Sequence, residues 1–425
     1  MEILIIISFT IVFFAIILTK KKIYHPVILF NGIWLIIFIL YKMQLIEFIP
    51  ISNKIILILL FMIVFFPIGV FIGERITINK KDCHQKQNSY SLRKKIFLFV
   101  CLLTIIKMFY DERDIIINVL SGLSFHTIMV QSAGKGTVLI KGFSVVLYIF
   151  FIYPCMYFIS PVCANVFFTE KGKNKIYYLL LNLVVVFLSV MHHGGRNSIF
   201  LFIISYGITY LMKKKKIYIK RKTKLLIFFG LAMAFLVINN VSNSRGINDI
   251  EKSFYAYFTC SIPLSELYLS IPVIKNASLG GYLSFSGYIT PIIIILKHFG
   301  VTPSNNYLLA YNIKEIIENN YLSIGNYALN MNAFLPAGTY LYIDGGYIFE
   351  IIGMIAYGIF VGYIFSLTQK TNNERLNVLY VLLSISLILS FIRFYFTTIN
   401  FSLAILYLII LYKKDNDIKE DSNHV

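Results

Sequence analysis

Apolar residues along this chain neither alternate nor keep to one helical stripe; they run on in stretches of roughly 15 to 22 residues divided by short polar or basic connections. A stretch of that length crosses an apolar core of about 30 Å as a helix. About eleven are present, near 3 to 19, 26 to 41, 55 to 73, 96 to 110, 142 to 168, 176 to 191, 198 to 212, 225 to 241, 346 to 367, 378 to 394 and 398 to 412. The pattern predicts an all-α polytopic membrane protein. Two longer connections interrupt the rhythm, 111 to 141 and 242 to 345. Within the second, "GYITPIIIILKHFG" (287 to 300) is too short to span and too apolar for open water, which predicts a re-entrant or interfacial helix. The expected organisation is 1 to 241 with eight spans, 242 to 345 as a large extracytoplasmic loop holding short or re-entrant helices, 346 to 412 with the last three spans, and 413 to 425 as a cytoplasmic tail.

Composition agrees: 58% of the 425 residues are hydrophobic and 14% charged, beyond what a soluble domain tolerates. The net charge of +19 suggests nucleic acid until its placement is considered. When alternate connections are assigned to opposite sides, one side holds 26 of the 39 Lys and Arg, including "KKKKIYIKRKTK" at 213 to 224. The positive-inside rule makes that side cytoplasmic, so the N-terminus is expected outside and the C-terminus inside, with no nucleic-acid partner. The first apolar run has no basic flank before it and no small-residue cleavage site after it, and reads as a retained helix. The five cysteines show neither CxxC nor metal spacing, and HExxH, P-loop, GxSxG and an external DxD are missing, so no metal or cofactor is expected. The spans are nearly free of charge, unlike those of a pump or carrier.

Chemistry concentrates instead at the predicted external ends of helices. Eight arginines stand against thirty-one lysines, and Arg113, Arg196, Arg245 and Arg393 fall outside, where cations are sparse. An arginine grips phosphate oxygens with a planar fork that stays charged. In "SVMHHGGRNSIF" (189 to 200), Gly194 and Gly195 permit a tight turn and Arg196 opens the next helix, whose free N–H groups suit an anion. An ordinary hairpin with a snorkelling arginine is the plainer alternative. Arg245 leaves the next external helix end, and Arg393 sits among aromatics in "SFIRFYF". His192, His193 and His298 are the candidate general bases for a sugar hydroxyl. Asp344, before two glycines in "YLYIDGGYIFEIIG", is suited to orient a base, hold an arginine or start a helix; Glu266 is a further external carboxylate.

These features together resemble the bacterial oligosaccharide repeat-unit polymerases (Wzy type), which build O-antigen, capsule or exopolysaccharide. The resemblance rests on the large late loop, the "GGR" opening a middle span, the arginine after the next external helix end, and the segments "YAYFTCSIPLSE" (255 to 266) and "NAFLPAGTYLYIDGGYIFEIIGMIAYGIFVGYIF" (332 to 365), covering roughly 176 to 412. It implies metal-independent glycosyl transfer at the outer face of the bacterial inner membrane, from undecaprenyl-diphosphate-linked oligosaccharide, with a flippase and a chain-length regulator as partners besides membrane lipid. It maps the family's paired external arginines onto Arg196 and Arg245, which would neutralise the departing diphosphate. The expected catalytic set is Arg196, Arg245, His192, His193, His298 and Asp344, and the substrate-binding set Gly194, Gly195, Asn332, Glu266 and Arg393. The related O-antigen ligases carry a histidine shortly before the asparagine of the late loop; "LNMNAF" (329 to 334) has none. Ligase, lipid-linked glycan flippase and non-enzymatic transporter or receptor are the competing readings.

Overall fold

The computed structural model describes residues 1–19, 22–78, 90–120, 146–170, 174–193, 197–213, 250–325, 330–371 and 373–414. The protein is mostly helical. Its principal elements are α1 (Glu2–Leu18), α2 (Pro26–Met43), α3 (Asn53–Ile78), β1 (Tyr90–Leu92), α4 (Lys94–Leu120), a π-helical turn (Tyr148–Ile152) leading into α5 (Tyr153–Thr169), α6 (Asn174–His193), α7 (Asn197–Lys213), α8 (Ile250–Thr259), α9 (Ser261–Ser270), α10 (Ser286–His298), α11 (Asn305–Asn319), the two-residue strands β2 (Leu322–Ser323) and β3 (Asn330–Met331), α12 (Ala337–Lys370), α13 (Glu374–Ile388), α14 (Ile399–Leu411) and β4 (Tyr412–Lys414).

Helix occupies ten of the eleven expected places, and the eighth, 225 to 241, lies outside the described residues. Five of these helices are long and apolar enough to cross a membrane: Pro26–Met43, Asn53–Ile76, Tyr148–Thr169, Lys175–His192 and Ala337–Lys370. α1, α7 and α14 are apolar but shorter. The surfaces agree with a membrane setting: Ile6, Phe9 and Phe13 on α1, Phe99, Ile106 and Phe109 on α4, and Ile348 and Ile352 on α12 all stand exposed, an apolar expanse that water would penalise.

Three boundaries differ from the sequence reading. α4 continues to Leu120, so the start of the expected 111 to 141 connection is helical. α12 begins at Ala337, ahead of the apolar run at 346. The expected span 378 to 394 stops as a helix at Ile388. There Phe394, Tyr395 and Phe396 turn inward, and the Thr397 and Thr398 hydroxyls bond the Phe394 and Tyr395 carbonyls at 2.7 and 2.8 Å, satisfying backbone that has left the helix.

The chain divides into two compact units. The first comprises Met1–Gln87, Phe254–Asn372 and Ser386–Ser402. Its α1 packs on α2, α2 on α3, and α3 along α12. α2 starts with Pro26 at its first position, and the His25 ring accepts the Val27 N–H at 3.3 Å. The α3–α12 seam is built from glycines at four-residue spacing, "GVFIG" (69 to 73) facing "GIFVG" (358 to 362). A methyl group on Gly69, Gly73, Gly358 or Gly362 would overlap the carbonyl of Ile355, Ile359, Phe66 or Val70 respectively. Small residues let two helix backbones touch in lipid, where burial of apolar area supplies no drive to associate.

α12 is broken near its start. Gly346 has φ 72° and ψ −163°, a conformation open to glycine and hardly to other residues. The bend brings the two parts together: Leu341 lies against Gly353, and a Cβ on Gly338 would come within 2.7 Å of Glu350 Oε1.

The second unit comprises Asn88–Ser253, Asn373–Ile385 and Leu403–Val425. α5 lies at its centre against α4, α6 and α7, and is buried along most of its length. Ala164, Phe167, Leu179 and Tyr206 form one apolar cluster, and Met108, Tyr148, Ile152, Met156 and Leu188 another. β1 and β4 pair antiparallel with Tyr90 opposite Lys414, and the Arg375 guanidinium lies 4.0 Å from the Tyr90 ring centre.

Candidate functional site

The segment singled out in the sequence lies between α6 and α7. Gly194, Gly195 and Arg196 lie outside the described residues, as do Arg245 and the side chain of His193; the helix ends on either side are described. Ser189 and Ser198 join these two ends through a hydroxyl–hydroxyl hydrogen bond, and Asn197 donates to the Tyr157 hydroxyl at 3.3 Å. His192, half-buried on the last turn of α6, has its Nε2 3.2 Å from the Tyr153 hydroxyl. Its ring stacks on Tyr148 with centroids 5.0 Å apart and planes 6° from parallel.

Tyr148 in turn donates its hydroxyl to Asp111. Lys107, one turn earlier on α4, reaches both Asp111 oxygens at 2.7 Å and lies 5.2 Å from the Tyr148 ring centre. The imidazole therefore sits at the end of a chain of fixed groups: cation, carboxylate, phenol ring, imidazole. A histidine held by a stack and a hydroxyl is suited to take a proton in one orientation. The i, i+4 pair of Lys107 and Asp111 was readable in "KMFYD" (107 to 111); that Tyr148 would join it to His192 was not, because α4, the π-helical turn and α6 are distant in sequence.

A second polar cluster lies in the first unit. Arg393, in the turn after α13, has Nη1 3.6 Å from Glu318 Oε1, both side chains partly exposed. Lys314, one turn back on α11, donates to the Thr397 carbonyl at 2.6 Å, and Asn332 donates to the Glu318 carbonyl. Tyr268 closes the end of α11, its hydroxyl donating to the Ile317 and Asn320 carbonyls at 2.9 and 3.1 Å. Burial holds the Lys314 ammonium below its ordinary pKa; Glu318 opposes this and Arg393 adds to it. Of the expected substrate-binding residues, Asn332 and Arg393 are thus brought together through Glu318, which sequence reading did not select; the spacing in "KEIIE" (314 to 318) is its trace.

The remaining candidates lie elsewhere. Asp344 is fully buried ahead of the α12 break. Its carboxylate accepts the Leu283 and Ser284 amides at 3.1 and 2.8 Å, and its carbonyl accepts those of Leu279 and Gly280, both at 2.9 Å. It organises the 279 to 284 turn. Glu266 accepts from the Ser52 amide and hydroxyl, both at 2.7 Å, at the start of α3, where a carboxylate meets the positive end of the helix dipole. His298 is exposed in the last turn of α10. Among the described residues no group of three His, Cys, Asp or Glu could hold a metal ion.

No family model matches the chain, and neither a curated protein nor a solved structure does.

Proposed function

We propose that the protein is a metal-independent glycosyltransferase that joins undecaprenyl-diphosphate-linked oligosaccharide repeat units into O-antigen, capsule or exopolysaccharide. In this reading it crosses the bacterial inner membrane about eleven times, with the N-terminus external and the C-terminus cytoplasmic. The five apolar helices of spanning length and the one-sided distribution of Lys and Arg support that setting. The observation that carries the reaction is the His192 network: a proton acceptor fixed by Tyr153, Tyr148, Asp111 and Lys107 at the helix end that precedes Gly194, Gly195 and Arg196 in the sequence.

The chemistry needs both features. An acceptor sugar hydroxyl attacks the anomeric carbon of the donor, the carbon–oxygen bond to the diphosphate breaks, and the hydroxyl proton leaves. His192 takes that proton. Arg196 and Arg245 meet the charge that the diphosphate gains as the bond breaks, which stabilises the transition state more than the ground state.

The test uses a strain lacking the gene, complemented with wild type, Arg196→Ala or His192→Ala, with surface glycan sized on gels and lipid-linked intermediates analysed alongside. The reading expects long chains with wild type and single repeat units with either variant at equal membrane abundance. Long polymer accumulating on the lipid carrier without the gene would make the protein a ligase. Intermediates held on the cytoplasmic side would make it a flippase, and unchanged glycan would remove it from glycan synthesis.

A further inference from the structure

Glu350 lies within the spanning helix α12, just past the Gly345–Gly346 break, and has no role in the reaction proposed above. It is fully buried, and neither carboxyl oxygen has a hydrogen-bond partner among the described residues. A carboxylate without water, cation or donor in an apolar interior is among the most unfavourable arrangements a protein can hold; the neutral acid avoids most of that penalty. Acids at such depth in membrane helices are rare and belong to functional sites.

Its surroundings are shaped around it. Opposite Glu350 Oε1 stands Gly338, where a side chain would intrude on the carboxyl, and Met62 of α3 closes the same space. Neither α3 nor the first part of α12 brings a charged side chain to it. Lys54, two turns before Met62 on α3, lies over the Tyr342 ring at 4.7 Å, and Asp344 faces the 279 to 284 turn. On its own helix Tyr347, one turn earlier, is the titratable neighbour. The break supplies the remaining ingredient. Interrupted membrane helices leave backbone groups outside the helical ladder, and they recur where a membrane protein binds a small ion.

We propose that Glu350 is a proton-binding site within the membrane, occupied in the conformation described here. The carboxyl is neutral, and it loses its proton when the parts of α12 on either side of Gly346 separate enough to admit water or a cation. This does not depend on the glycan reading, because the readout is the acid itself.

The test is pH-dependent difference infrared spectroscopy of the full chain in lipid nanodiscs, wild type against Glu350→Gln, with mapping of dicyclohexylcarbodiimide, an apolar reagent for protonated carboxyls, by peptide mass spectrometry. The inference expects a carboxylic-acid carbonyl band at neutral pH that is lost in Glu350→Gln and persists above the range where exposed carboxyls are ionised, with the reagent found on the peptide carrying Glu350. Coincident wild-type and variant spectra in the acid region at neutral pH would overturn it, whatever the labelling. Should Glu350→Gln fail to fold, loss of the band in wild type on raising the pH, together with loss of labelling on the Glu350 peptide, decides in favour. A band and labelling insensitive to pH, or missing throughout, decides against.

Discussion

Asp344 and Glu350 stand on opposite sides of one helix break, and both are fully buried acids. The first has a backbone amide on each carboxyl oxygen and two more on its carbonyl; the second has no partner among the described residues. Burial is the same and its meaning opposite. Asp344 exchanges water for four donors and so fixes a turn, whereas Glu350 exchanges water for nothing, an arrangement that adds no stability.

Substitution should separate the two. The largest effect is expected for Asp344→Ala, which leaves the Leu283 and Ser284 amides buried without acceptors. At roughly 1–3 kcal/mol for each unsatisfied group, the loss should be about 4 kcal/mol, read as a lower unfolding midpoint in detergent. A loss below about 1 kcal/mol would mean that the turn is held by other contacts. Next comes Gly346→Ala, which forces a side chain into the conformation at φ 72°, ψ −163° and should destabilise by about 2 kcal/mol in the same measurement. An unchanged midpoint would show that the break relaxes readily. The smallest effect is expected for Glu350→Met, which fills the same space without an unpaired polar group; stability should hold or rise by about 1 kcal/mol. A marked fall would reveal a partner for the carboxyl and erase the contrast with Asp344.

Helix positions were readable from the apolar runs because a span needs length and hydrophobicity, and both are local. Helix ends were less so. α12 starts ahead of its apolar run because the helix continues through "AGTYLYID" (337 to 344) before the glycines interrupt it, and α13 stops early because inward aromatics and threonine hydroxyls satisfy the turn that follows. The glycines after Asp344 signalled a special backbone, but the sequence could not say that its carboxylate would be engaged by the 279 to 284 turn, sixty residues earlier. Glu266 reads in the sequence as an external carboxylate, and in the structure it accepts from Ser52 at the start of α3. Rarity marks His192 and charge marks Arg393 in the sequence; what each touches depends on helices far away in the chain. The α3–α12 seam was spelled out in two short glycine motifs, yet either alone is compatible with any partner.

That seam carries a consequence for how the protein is made. Ala337 follows Ile78 by 259 residues, so at about 5–20 residues per second α3 waits roughly half a minute after it is synthesised before α12 exists. During that interval the groove at Gly69 and Gly73 faces lipid or a temporary neighbour. A nascent chain halted before residue 337 would leave this groove uncovered, making it a natural place for membrane quality control to recognise an unfinished copy.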